Sequence, residues 1–141
     1  MGIRALLLIA AAGGGGFQLW QMHERSLTER HLHAAADVNG FVPILASDDA
    51  PRDTVVILAA INCPKAPAQR AAALEKELAR RDIPVLRANT YQVTHFTREQ
   101  MRLVNQTQAV LAGEIPIVVI NGRARANPGV DDVAAEFRSG R

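Results

Sequence analysis

Cysteine is almost missing from this chain: Cys63 is the single copy among 141 residues. One thiol cannot form an internal disulfide, and it cannot build a cysteine-based zinc site. Aromatic residues are scarce too, at 4% of the chain against 48% hydrophobic residues in all. Alanine, valine and leucine must therefore make most of the core. An excess of one charge sign is also lacking. Sixteen Lys and Arg stand against fourteen Asp and Glu, a net charge of +2. No Lys/Arg run marks the electrostatic footprint of a nucleic-acid binder, so no nucleic-acid partner is expected. His31 and His33 lie two apart, would face different ways on a helix, and have no carboxylate pair to complete a metal site.

What is there begins with an apolar start. Residues 1–22 read M-G-I-R-A-L-L-L-I-A-A-A-G-G-G-G-F-Q-L-W-Q-M, with Arg4 the one charged side chain. Residues 3–22 match the ~20 residues that cross a bilayer. Trp20 would sit at the interface, and glycine is tolerated inside a membrane helix. A buried globular helix fits poorly, because each of four consecutive glycines costs about 1 kcal/mol against alanine. A membrane anchor is expected, with a signal segment cleaved near Ala10-Ala11-Ala12 as its rival. Arg4 and the terminal amine favour a cytoplasmic start. The expected placement is therefore an inner-membrane-anchored protein with its domain in the periplasm. A secreted or cytoplasm-facing domain is the alternative.

Residues 23–51 read as a helical stalk and linker. Ser26 and Glu29 have capping-box spacing, so a helix is expected to restart there. Two prolines and several Ser/Asp residues between Gly40 and Asp53 mark the linker, with F-V-P-I-L free to pack onto the domain. The domain is expected over 52–141. Thr54–Ile61 is a continuous run rich in β-branched residues, the pattern of a strand buried on both faces. Pro64–Arg81 reads as a helix with two prolines in its first turn. Ile83–Ala88 reads as a second strand, and the β-α-β order implies parallel pairing. T-R-E-Q at 97–100 opens a helix that runs to Gly113. Ile117–Ile120 and Arg123–Ala126 flank Asn121-Gly122, a strong hairpin signal. Asp131–Arg138 is a terminal helix.

Cys63 stands between the first strand and the first helix of this domain, in I-N-C-P-K-A-P. A helix N-terminus offers unpaired N–H groups and a positive dipole end, which stabilise a thiolate. The other reading is a small buried apolar residue, which free cysteine often is.

Three segments together resemble the thioredoxin-like superfamily, over residues 52–138. C-P-K-A is similar to the C-P-x-C of glutaredoxins, with Ala66 where the second cysteine would be. G-E-I-P-I-V-V-I-N-G is similar to the segment in which a cis proline opens a central strand, and Pro116 takes that place. G-V-D-D at 129–132 resembles the glutaredoxin G-C-D-D. The resemblance implies a three-layer α/β domain, here a single-cysteine glutaredoxin-like member after an N-terminal hydrophobic helix and polar stalk. It implies Cys63 as a nucleophile in thiol–disulfide exchange. It also implies Pro64, Lys65, Ile115, Pro116, Val130 and Asp131 as the residues that hold a substrate or glutathione, the latter as co-substrate. With one thiol, an outside thiol must resolve the mixed disulfide. The alternative is a non-catalytic module of the same shape that binds a partner peptide in the cell envelope.

Overall fold

The computed structural model describes residues 21–61 and 63–141. Two compact units divide between Ala34 and Ala35. The first is helical where it is described: α1 covers residues 21–35 and passes through Ser26 without restarting there. The Ser26 carbonyl accepts a hydrogen bond from Arg30 Nε at 3.3 Å, one turn on.

The reading of residues 3–22 as a membrane-crossing helix is corrected. Among the described residues no helix is long and apolar enough to cross a membrane. Gln21 and Met22, the described part of that segment, lead into the polar run H-E-R-S. Residues 1–20 lie outside the described residues. The hydrophobic anchor, the membrane as a partner, and the inner-membrane and periplasmic placement are therefore not retained.

The second unit, Ala35–Arg141, is built on one five-stranded sheet. Its strands are β1 (Val42–Pro43), β2 (Val55–Leu58), β3 (Val85–Ala88), β4 (Ile117–Ile120) and β5 (Arg123–Ala126), in the order β1-β5-β4-β2-β3. Only β2 and β3 run parallel, joined by α2 (Ala66–Arg80); the other pairs are antiparallel. A 3₁₀ turn at Arg98–Gln100 leads into α3 (Met101–Leu111), and α4 (Val130–Ser139) closes the chain. This mixed sheet with flanking helices resembles a thioredoxin-like topology.

Alternation along the strands separates two faces. Val55 and Ile57 of β2 with Val118 and Ile120 of β4 join Ala71, Leu74, Leu78, Val133 and Phe137 in the main core, under α2 and α4. Val56 and Leu58 pair with Val119 and Ile117 and point to the other face. There α3 packs against β1 and β5 and buries Thr107 and Val110. The β4–β5 turn needs left-handed backbone at both central residues, and Asn121 (φ 47°) and Gly122 (φ 76°) supply it.

Residues 35–51, expected from the sequence to be stalk and linker, contribute to this body. Phe41 is fully buried in the main core, and β1 pairs with β5 through Val42 and Pro43. The Leu45 N–H donates to the buried Thr107 Oγ1 at 2.9 Å. The domain-facing character of F-V-P-I-L thus reflects an edge strand with one aromatic anchor.

Candidate functional site

Helix α2 sets the position of Cys63. Its N-cap is Lys65, in extended backbone, with Pro67 in the first turn where a missing N–H has no cost. The helix starts two residues after the expected Pro64, because Pro64 and Lys65 belong to the approach loop. Cys63 is free and half-buried. Pro64 and Lys65 are exposed, and the Pro64 carbonyl accepts from Gln69 Nε2 at 3.0 Å.

Strand β4 sets the other side. The Ile115–Pro116 peptide is cis. Pro116 is buried, and its carbonyl accepts from the Asn127 N–H at 2.7 Å. Ile115 is 42% exposed. Its carbonyl accepts from Arg70 Nη2 at 2.8 Å, and the same nitrogen reaches Glu114 Oε1 at 3.3 Å.

Next to Ile115 the sheet ends in a cavity of ≈ 240 Å³. Leu58, Ala59 and Ala60 at the end of β2 form one wall, and Ile115 and Ile117 another; Leu111 of α3 completes the apolar part, and Asn89, Thr90 and Tyr91 add polar groups. Leu58 and Ile117 are cross-strand partners, which is why the two strand ends open together. Cys63 is not among the described residues that line it. Tyr91 is held from behind: its hydroxyl donates to the Leu45 carbonyl and accepts from the Ser47 N–H at 2.9 Å. Burial pushes the Tyr91 phenol up, against the opposing bond from Ser47.

The remaining expected residues lie elsewhere. Val130 is half-buried and packs against the main core. Asp131 forms an ion pair with Arg81 Nη1 at 2.8 Å, just beyond the C-terminal end of α2. The 15 residues of α2 span ~22 Å at 1.5 Å each, and Cys63 precedes the other end. The structure therefore brings Lys65, Ile115 and Pro116 to the Cys63 end of the domain and ties Asp131 to the opposite end of α2.

A larger cavity of ≈ 870 Å³ opens at the other end of the same strands. It is lined in part by Arg52, Asp53, Asn121, Arg123 and Glu136. The Asp37, Glu136 and Arg123 side chains lie at ion-pair distance, although the buried Arg123 Nε has no hydrogen-bond acceptor among the described residues. Arg123 Nε lies 3.2 Å from Asp37 Oδ2 and 3.6 Å from Glu136 Oε1, and Asn39 Nδ2 donates to Glu136 Oε2 at 2.9 Å.

The reading as a membrane-tethered thiol–disulfide exchanger is corrected here. Among the described residues no helix crosses a membrane, and Cys63 is the sole cysteine of the sequence, with Ala66 as the first residue of α2 where a resolving thiol would stand. No catalytic cysteine pair exists in this chain. Tyr91 and Arg70 were not singled out as site residues by the sequence. Tyr91 belongs to a polar loop, and Arg70 is one of several charges on the outer face of α2, so neither carries a local signal.

No family model matches the chain, and neither a curated protein nor a solved structure matches it. Fold and site together define a single-cysteine α/β domain of thioredoxin-like shape, with an open apolar cavity at the Cys63 end of its sheet.

Proposed function

We propose that this domain is a non-catalytic binding module that takes an extended segment of a partner protein at the Cys63 end of the sheet. The observation that supports it is the apolar cavity with Ile115 half-exposed at its edge. A soluble polar surface would close such a cavity or line it with charge; this one offers a seat for one apolar side chain, whose burial contributes about 1.5–3 kcal/mol. Among the described residues no acceptor takes the Ile115 N–H, so a segment running past it finds a backbone donor ready for strand-like pairing. Ile115 acts in this reading as the groove residue, while Lys65, Pro116 and Cys63 lie at the same end of the domain outside the described lining of the cavity.

Two substitutions test it. Ile115→Glu places a charge at the cavity edge and is expected to weaken binding of selected peptides by about tenfold or more, since ~1.4 kcal/mol is a factor of ten. Cys63→Ser is expected to leave the same affinities within about twofold, because a binding module makes no use of thiolate chemistry. Titration of peptides selected from a displayed random library against the full chain reads both. Affinity unchanged in Ile115→Glu, or abolished in Cys63→Ser, would overturn the proposal.

A further inference from the structure

Asparagine followed by glycine occurs twice in the chain, at Asn39-Gly40 and at Asn121-Gly122. The pair is chemically labile. The backbone nitrogen of the glycine can attack the side-chain amide carbon of the asparagine before it and close a succinimide ring. A side chain on the second residue hinders that attack, and glycine has none. The fold places the two pairs in opposite circumstances.

Asn39-Gly40 is held on both sides of the bond that would form. The Gly40 N–H donates to the Asp37 carbonyl at 3.0 Å. Asn39 Nδ2 donates at 2.9 Å to Oε2 of Glu136, a buried side chain of α4. The Asn39 N–H donates to Asp37 Oδ1 at 2.9 Å, and the Asn39 carbonyl accepts from Arg125 Nη1 at 2.7 Å. Attack requires several of these bonds to break at once in a half-buried place.

Asn121-Gly122 is open. The pair forms the tip of the β4–β5 turn, and Asn121 is exposed. Among the described residues no acceptor takes the Gly122 N–H. Apart from its chain neighbours, no atom lies within 4 Å of where a Gly122 Cβ would stand, so nothing packs over this side of the turn. Among the described residues Asp53 alone restrains the Asn121 side chain. Oδ1 accepts from the Asp53 N–H at 2.9 Å, and Nδ2 stands 3.4 Å from Asp53 Oδ1, both in exposed contacts.

We infer that Asn121 is a site of spontaneous deamidation, and that the folded domain protects Asn39 from the same reaction. The Gly122 nitrogen gives its proton to hydroxide and bonds to Asn121 Cγ. The Cγ–Nδ2 bond breaks, and ammonia leaves. Water then opens the succinimide at either carbonyl, giving aspartate or isoaspartate. No oxidant or reductant takes part. The product carries a carboxylate beside Asp53, at the ≈ 870 Å³ cavity that Asp53, Asn121 and Gly122 help to line. The Nδ2 contact with Asp53 becomes a meeting of like charges. Isoaspartate also lengthens the backbone of a turn whose length sets the β4–β5 register. This chemistry is independent of what the domain binds.

The test is incubation of the purified full chain at mildly alkaline pH. Samples are digested at intervals, and mass spectrometry reads the NH2-to-OH exchange in each Asn-Gly peptide. In the folded protein Asn121 should convert about tenfold or more faster than Asn39, because Asn39 reacts only in molecules whose local structure has opened. In guanidinium chloride, where unfolding exposes both pairs, the two rates should fall within about twofold of each other. Equal rates in the folded chain, or a faster Asn39, overturn the inference. So does an Asn121 that stays intact in the folded chain over the time in which it converts in guanidinium chloride. A difference that persists in guanidinium chloride would trace it to local sequence and overturn the protection of Asn39 by the fold.

Discussion

Phe41→Ala is expected to destabilise the Ala35–Arg141 unit by about 3–5 kcal/mol, the usual cost of emptying a fully buried aromatic site. Phe41 is one of the largest fully buried side chains of the domain and touches the core built by β2, β4, α2 and α4. Stability near 5–15 kcal/mol is normal for a domain, so this loss is a large share of the total. Urea unfolding of the full chain checks it: the midpoint should fall with little change in slope. A shift under about 0.5 kcal/mol, normal for a surface position, would mean that residues 35–51 are an appended linker after all.

Asp37→Ala is expected to cost about 2 kcal/mol, because it strands several donors at once. Asp37 Oδ1 accepts from the Asn39 and Phe41 N–H groups at 2.9 and 3.0 Å, and Oδ2 faces Arg123. Glu136, buried on α4, completes the cluster. Burial by itself raises the Asp37 carboxyl. The hydrogen bonds from Glu136, Phe41 and Asn39 and the Arg123 charge outweigh it, and the net displacement is downward. Burial raises Glu136, reinforced by its hydrogen bond and proximity to Asp37 and opposed by Asn39 and Arg123. The Glu136 carboxyl is thus displaced upward and the Asp37 carboxyl downward.

The two shifts act on stability in opposite directions. Asp37 contributes above the ordinary carboxylate range, and its contribution is lost as pH falls through its lowered folded pKa. Glu136 contributes fully below its ordinary pKa, and its contribution is lost as pH rises through its raised folded pKa. Stability should therefore decline from mildly acidic toward neutral pH in the wild type. Glu136→Gln, which keeps an amide donor toward Asp37 without titrating, should remove that decline. Chemical unfolding across this range decides the matter; the same decline in Glu136→Gln would mean that Glu136 does not carry it.

Much of the sheet is legible in the residues, because T-V-V-I-L and I-P-I-V-V-I are apolar runs bounded by turn chemistry, and Asn121-Gly122 dictates its own backbone. The buried role of Phe41 is not. One aromatic among Gly, Pro and Asp looks like a loop residue, and its burial follows from Val42 pairing with Ala124 far along the chain. At the site, Cys63 and Pro116 stand out by residue type alone. Asp131 shows what a motif leaves open: G-V-D-D opens a helix, and the Asp131 carboxylate pairs with Arg81, which no local pattern announces. Arg70 is invisible in a helix whose outer face is charged throughout. Only the placement of α2 against the start of β4 shows which of those charges reaches a carbonyl.

Tyr91 joins two parts of the molecule through one ring. Tyr91 lines the cavity while its hydroxyl bridges the Leu45 carbonyl and the Ser47 N–H. Any occupant that holds the ring in place must also hold segment 45–47, and by thermodynamic reciprocity ordering that segment must favour the occupant by the same factor. Local opening of residues 45–47 and the empty cavity thus belong to one cooperative unit, and the amide of Ser47 should exchange with solvent more slowly once the cavity is filled.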